Sequence, residues 1–518
     1  MTTDSFSGRL KAAMAQRGLK QTDLIHRAAS VGGHLGKSQV SQYVSGKVVP
    51  RSDVCELLAR VLGVEKDWLA EGVGAGPGPG AAPAADPAAA RATERPRAAS
   101  STSSYPSTQR SASMREFKKS SKLENVLYDV RGPVVDEAER MEDEGERILK
   151  LNIGNPAPFG FRAPEEVVKD MRLQLADCEG YSNSRGLFSA RKAIMQYAQL
   201  KHLPNVDMKY IYTGNGVSEL IQLCMHALLE TGDEILIPAP DYPLWTACAT
   251  LAGGTPVHYL CDEQADWNPD LADMESKVTS RTKAIVVINP NNPTGAVYSR
   301  EVLEGIVEIA RRHQLMIFAD EIYDRLCMDG AEHVSVASLA PDLPCVTFSG
   351  LSKSHMVCGY RVGWMILSGN LACMRDFILG VNMLSNMRLC SNVPAQSIVQ
   401  TALGGYQSVE RYIEPGGRIF EQRNYVYEAL NAIDGVTAVK PKAAFYIFPK
   451  LDVKKFNITD DEQFALDLLH QKRILITRGA GFNWPEPDHF RIVYLPRMGV
   501  LQEAMADLAD FLEHYRQA

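Results

Sequence analysis

The sequence predicts an α/β protein built on a large, mostly parallel sheet with a smaller α+β lobe, preceded by a small all-α unit. Three observations predict it. Apolar runs alternate with helical patterns from about residue 148 onward. Those runs are continuous rather than alternating, as in strands buried on both faces. Residues 1–72, in contrast, place their apolar side chains at helical spacing only. At 518 residues the chain also exceeds what one hydrophobic core organises, so several domains are expected.

Taken in order, Leu10, Met14, Leu19, Leu24 and Ile25 recur at near-helical spacing, and Val54, Leu57, Leu58, Val61 and Leu62 do so again before Gly63. Residues 73–114 are mostly Gly, Ala, Pro, Ser and Thr with scattered arginines. Such a composition cannot bury enough apolar surface to offset chain entropy, and it predicts a flexible linker. Residues 115–518 form the main body. Strands are expected at Ile148–Ile153, Glu234–Ile237, Ala284–Ile288 and Leu315–Ala319, with a large domain over about 165–390. Residues 391–518, with strands at Ala444–Phe448 and Phe490–Tyr494, predict the smaller lobe, completed by residues 115–164.

Composition narrows the function. A 45% apolar and 23% charged chain is ordinary for a soluble protein, and the net charge of -7 argues against a whole-protein binder of nucleic acid or anionic membrane. A local basic region remains compatible with that charge. Ten cysteines without a CxxC pair or a regular framework predict reduced thiols rather than disulfides or a metal site. No apolar run is long enough to span a membrane, and Met1–Ser5 lacks a signal pattern, so a cytoplasmic location is expected.

The chemistry concentrates in Phe348-Ser349-Gly350-Leu351-Ser352-Lys353, with Arg361 eight residues on in Gly359-Tyr360-Arg361-Val362-Gly363-Trp364. A lysine among small hydroxyl residues followed by an arginine can hold an aldehyde cofactor by its carbon and its phosphate, which is pyridoxal phosphate chemistry. Asp320 ends an apolar strand in Phe318-Ala319-Asp320-Glu321-Ile322-Tyr323, where a buried carboxylate needs a cation such as a pyridinium nitrogen. Gly214-Asn215-Gly216-Val217-Ser218 leads a strand into a helix, so amides at Gly216 and Val217 could face a phosphate.

These segments, with Asn289-Pro290-Asn291-Asn292-Pro293-Thr294-Gly295, resemble the class I and II pyridoxal-phosphate aminotransferases, and among them the bacterial alanine (glutamate-pyruvate) type. The resemblance runs from about Ser120 to the C-terminus. It implies the type I fold of pyridoxal-phosphate transferases and an amino group passed between L-alanine and 2-oxoglutarate. It implies Lys353 as the catalytic residue, Asp320 on the ring nitrogen, Tyr323 and Asn292 on the phenolic oxygen, and Tyr242 stacked on the ring. Arg361 would hold the phosphate. The family often has serine three residues before the lysine, where Gly350 stands, and that role shifts to Ser352 or Ser349.

Tyr181 resembles the tyrosine that crosses a dimer interface to the partner's phosphate, implying a homodimer. Arg491, Asn292 and Gly154 match the carboxylate-binding set. Tyr128-Asp129-Val130-Arg131-Gly132-Pro133 matches a segment that closes over the site, with Tyr128 against a small side chain and Arg131 toward the γ-carboxylate of glutamate. A broader branched or aromatic amino acid transaminase is a second enzymatic reading, because pocket size is set by contacts that spacing does not show.

The N-terminal unit resembles a phage-repressor-type helix-turn-helix, with Ser38, Gln39 and Gln42 as groove readers and Lys37, Lys47 and Arg51 toward phosphates. That unit sets up a rival reading: a transcriptional regulator whose aminotransferase-like body senses the cofactor or an amino acid.

Overall fold

A computed structural model describes residues 5–31, 35–73, 117–123, 126 and 132–518. The expected linker, Tyr128 and Arg131 lie outside the described residues. The chain divides into two compact units, Met1–Arg115 and Glu116–Ala518.

The first unit is helical: α1 (Phe6–Gln16), α2 (Gln21–Ser30), α3 (Lys37–Ser45), α4 (Ser52–Leu62) and α5 (Lys66–Glu71). Gly46 and Gly63 end α3 and α4 with φ of 76° and 56°, a conformation that glycine adopts without strain. Leu10, Met14, Leu24, Leu58 and Leu62 meet in one buried core, against which Leu19, Ile25 and Val54 pack.

The second unit is organised by one sheet of strands β1 (Ile211–Gly214), β2 (Glu234–Ala239), β3 (Thr255–Asp262), β4 (Asn268–Pro269), β5 (Thr282–Ile288), β6 (Met316–Asp320), β7 (Pro344–Gly350) and β8 (Gly363–Gly369). Their spatial order is β1-β8-β7-β6-β5-β2-β3-β4. All run one way except β4 and β8, which are antiparallel to their neighbours. Every residue of β2, β6 and β8 is buried, as continuous apolar runs covered on both faces require. Two apolar clusters provide that cover, one containing Leu236, Ile285 and Ile317 and the other Ile235, Val286 and Phe318. Neighbouring residues on one strand thus bury into opposite layers.

A third cluster joins Val134, Leu151 and Phe161 to Val426, Phe490, Leu508 and Phe511, so the segment before the sheet packs with the C-terminal part. Its central strand β11 (Phe490–Val493) pairs antiparallel with β9 (Tyr446–Ile447) and β10 (Thr477–Arg478). Strands here are shorter than expected. The run Ile148–Ile153 contributes only Leu149–Lys150, paired with Ile474–Leu475, and Ala444–Phe448 contributes only β9. All ten cysteines are free thiols. Among the described residues no helix is long and apolar enough to cross a membrane.

Candidate active site

Parallel strands deliver their carboxyl ends to one edge of a sheet, and that topology gathers the site. Asp320 is the last residue of β6, Tyr242 follows β2, Asn292 follows β5 and Lys353 follows β7. Strand β8 runs the other way, so its beginning lies at the same edge, with Gly363 opposite both Gly214 and Gly350. Arg361, two residues before β8, is thereby brought to the start of helix α6 (Val217–Leu228). The C-terminal lobe closes the other side with Tyr446 on β9 and Arg491 on β11.

These residues line a cavity of about 160 Å³. Lys353 Nζ donates to the Gly154 carbonyl at 2.8 Å. Asp320 is buried and accepts hydrogen bonds from Trp245 Nε1 at 3.2 Å and from the Ile322 amide at 3.3 Å. Burial pushes its carboxyl up to about 6, although both donors act to lower it. Arg491 is buried, donates from Nη1 to Asn292 Oδ1 at 2.8 Å and from Nη2 to the Asn152 carbonyl, and lies 4.4 Å from the Tyr446 ring centre. The Tyr323 hydroxyl pairs with that of Tyr446 at 2.7 Å.

At the opposite end, Arg361 donates to the carbonyls of Cys358 and Asn215 at 2.8 and 3.2 Å. Gly216 has φ of 83°, a conformation that favours glycine, and a Cβ there would lie 2.8 Å from Arg361 Cζ and push the guanidinium aside. The arginine fork and the first turn of α6, whose amides have no partner within the helix, form one positive end to the cavity.

Residues 146–508 match the family model for aminotransferase class I and II. The chain belongs to that family. It is 58% identical over 404 residues to the glutamate-pyruvate aminotransferase AlaA of Escherichia coli, covering 78% of this chain and all of that protein. It is 56% identical over 404 residues to the alanine aminotransferase of Mycobacterium tuberculosis, covering 78% of this chain and 94% of the relative. Among solved structures, an aminotransferase from Escherichia coli superposes with a TM-score of 0.77 at 58% identity, over 78% of this chain and 100% of the other. The alanine aminotransferase from Pyrococcus furiosus does so with a TM-score of 0.72 at 38% identity, over 76% of this chain and 100% of the other. Residues 10–69 match a helix-turn-helix family model.

Class I and II aminotransferases use pyridoxal phosphate, and the cavity fits that group on its own terms. Asp320 is a buried carboxylate whose hydrogen-bond partners among the described residues, Trp245 and the Ile322 amide, are neutral, which is costly unless a cation such as a ring N–H arrives. An amine stands at Lys353, and the positive end at Arg361 suits a phosphate.

Of the residues expected from the sequence, Gly154, Val217, Tyr242, Asn292, Asp320 and Tyr323 line this aminotransferase cavity, as do Ser352, Lys353, Arg361 and Arg491. Gly216 stands just behind Arg361. Between the two candidate serines the structure separates the positions: Ser352 lines the cavity and Ser349 is buried within β7. A side chain at 350 would lie 2.9 Å from the Val362 carbonyl, which is why glycine occupies that position. Tyr181 does not line the cavity of its own chain and is 82% exposed.

Two contributors were not anticipated. Trp245, three residues after Tyr242 on the helix Leu244–Ala252, carries no sequence signal beyond that spacing. Tyr446 sits in a strand-like apolar run, and nothing local separates it from a core aromatic.

Behind the aminotransferase cavity, Lys201 is clamped between Glu321 Oε2 at 2.5 Å and Asp324 Oδ2 at 2.7 Å, and the side chains of both acids are almost wholly buried. Burial acts to lower the lysine, but Asp324 and Glu321 outweigh it and hold it charged. Ser335 donates to Glu321 at 2.7 Å and Tyr197 to Asp324 at 2.5 Å. This network anchors the chain on both sides of Tyr323.

In the helical unit, Val40 and Tyr43 turn the inner face of α3 into the core, leaving Gln39 and Gln42 exposed on the outer face. Gln39 also accepts from the Gly36 amide at 3.1 Å, so part of its bonding capacity caps α3. Lys37, Lys47 and Arg51 are exposed; the side chain of Ser38 lies outside the described residues.

Proposed function

We propose that the chain is an alanine transaminase, moving an amino group between L-alanine and 2-oxoglutarate to give pyruvate and L-glutamate with pyridoxal phosphate. The supporting observation is the convergence, in one cavity, of an amine at Lys353, a buried carboxylate without a cation at Asp320 and a buried carboxylate receptor at Arg491. The relatives named for glutamate-pyruvate and alanine aminotransfer, matched over nearly their whole length, supply the substrate pair.

Bound pyridoxal phosphate supplies an aldehyde for the amine and a sink for the electron pair left at the α-carbon. Lys353 would hold it covalently and, once displaced by the incoming amino acid, carry the proton away from the α-carbon and deliver it to the neighbouring cofactor carbon. Asp320 would keep a proton on the ring nitrogen. Tyr323 and the Nδ2 amide of Asn292 would donate to the phenolic oxygen, and Tyr242 would fix the ring plane. Gly216, Val217, Ser352 and Arg361 would bind the phosphate. The fork of Arg491, with Asn292 and Gly154, would orient the substrate carboxylate. Tyr128 and Arg131 would discriminate the side chain.

The active unit in this proposal is a homodimer, with Tyr181 reaching the partner's phosphate. Helix α7 (Arg375–Met387) exposes Leu379, Met383 and Met387 at four-residue intervals. The loop carrying Tyr181 is tied to that helix by Ser184 to Asn386 at 2.7 Å and Arg185 to Asn382 at 3.1 Å. Exposed apolar stripes of this kind are characteristic of subunit contacts.

We assign residues 1–72 to a helix-turn-helix domain reading DNA with Ser38, Gln39 and Gln42, residues 73–114 to a linker and 115–518 to the enzyme, in the cytoplasm. Free thiols agree with that compartment.

The test is a spectral titration. L-alanine should shift the visible band of the bound cofactor and 2-oxoglutarate should restore it. A band unmoved by alanine and by glutamate would leave the regulator that senses the cofactor or an amino acid as the better account.

A further inference from the structure

We propose that Tyr446 is a positioning residue whose hydroxyl donates to Tyr323, strengthening the hydrogen bond that Tyr323 gives to the cofactor's phenolic oxygen. This rests on the alanine transaminase reading above and adds a residue that spacing did not reveal.

Tyr446 touches three parts of the site at once. Its hydroxyl lies 2.7 Å from that of Tyr323, with the two rings edge to face at 82°. Its ring lies under the Arg491 guanidinium at 4.4 Å, held by the antiparallel pairing of Tyr446 with Val493, two residues beyond the arginine. A Cβ on Gly154 would fall 2.7 Å from Tyr446 Cζ, so the glycine lets the tyrosine approach the backbone whose carbonyl accepts from Lys353.

The direction of the hydrogen bond follows from proton count. Two hydroxyls share one hydrogen, and both are deeply buried. Tyr323 needs its own proton to donate into the cavity, so the proton between the two oxygens must come from Tyr446. A donor that itself accepts a hydrogen bond is polarised and donates more strongly. Greater donation stabilises negative charge on the phenolic oxygen and weakens its pull on the proton shared with the adjacent imine nitrogen. Removing the Tyr446 hydroxyl therefore raises the pH at which that proton is lost. The phenyl ring of a Tyr446→Phe variant still lies under Arg491, so substrate anchoring and hydroxyl donation are separable.

The experiment titrates the visible absorbance of the holoenzyme with pH in wild type, Tyr446→Phe, Tyr323→Phe and the double variant. Tyr446→Phe is expected to raise the midpoint by about 0.2–0.6 pH unit, the share of a charge-assisted hydrogen bond that cooperativity supplies. Tyr323→Phe should raise it further, and the double variant should match Tyr323→Phe alone. An unmoved midpoint in Tyr446→Phe overturns the proposal. A Tyr446→Phe shift that persists undiminished in the Tyr323→Phe background also overturns it, because Tyr446 would then act without its neighbour. A change in KM for alanine without a spectral shift would likewise leave Tyr446 a support for Arg491 only. If the wild-type holoenzyme shows no visible cofactor band, the cofactor reading fails, and the role of Tyr446 falls with it; a visible band whose midpoint Tyr446→Phe leaves in place overturns the role of Tyr446 alone.

Discussion

Asp320→Asn should raise the stability of the cofactor-free protein at neutral pH and abolish most activity of the holoenzyme. The folded chain holds the Asp320 carboxyl at about 6, against an ordinary 3.8, because burial disfavours its charge. The sign follows from linkage: the folded state binds this proton more tightly than the unfolded state. Below pH 3.8 both states keep it and nothing is lost. Between the two values the unfolded chain ionises first and stability falls as pH rises. Above pH 6 the full cost applies, about 3 kcal/mol for a displacement of two units. Asparagine removes that cost but weakens the bonds from Trp245 and Ile322, at about 1 kcal/mol. The net gain is about 2 kcal/mol at pH 8 and close to zero at pH 4.5.

Urea unfolding of cofactor-free wild type and variant at the two pH values measures this difference. With cofactor bound the gain should vanish, because a ring N–H then pairs with the aspartate, and kcat/KM for alanine should fall by at least about 100-fold. Equal stability changes at both pH values, or a loss at pH 8, would refute the claim that Asp320 is a buried charge awaiting a cation.

Three further outcomes follow from the same geometry. Arg491→Lys replaces a fork with a point charge and should lower kcat/KM for alanine about 30- to 100-fold in steady-state assays; an unchanged value removes Arg491 from carboxylate recognition. Lys201→Met leaves Glu321 and Asp324 as uncompensated buried acids, a loss of about 3–5 kcal/mol visible in thermal unfolding. Wild-type melting would refute the claim that the lysine's charge holds the two buried acids. Met383→Glu places a charge in the exposed stripe of α7 and should yield monomers in light scattering, with weaker cofactor retention; an intact dimer would move the interface elsewhere.

Much of the site was legible in the sequence because its chemistry is carried by residue types in unusual company. A carboxylate closing an apolar strand, as at Asp320, is informative because burial without a partner is so costly. Lys353 and Arg361 stand eight residues apart across one turn into β8, so their pairing survives in linear spacing. The central strands read correctly because burial on both faces writes a continuous apolar run. In the C-terminal lobe that signal fails: strands of two to four residues paired across long loops leave no periodicity, and Leu149–Lys150 and Tyr446–Ile447 came out shorter than their apolar runs.

The helical unit shows the same limit at one residue. Gln39 has the composition of a groove reader, yet its side chain also caps α3, which only coordinates reveal.

The sequence by itself determined the fold class, the residues capable of the chemistry and the edge of the sheet at which they gather, because each depends on local pattern and on the direction of parallel strands. Tertiary structure alone decided which neighbours tune them. Tyr446 meets Tyr323 across 123 residues and Lys353 meets Gly154 across 199. Contacts at such separations are set by how two lobes close on one cavity, and that packing leaves no trace in the spacing of the chain.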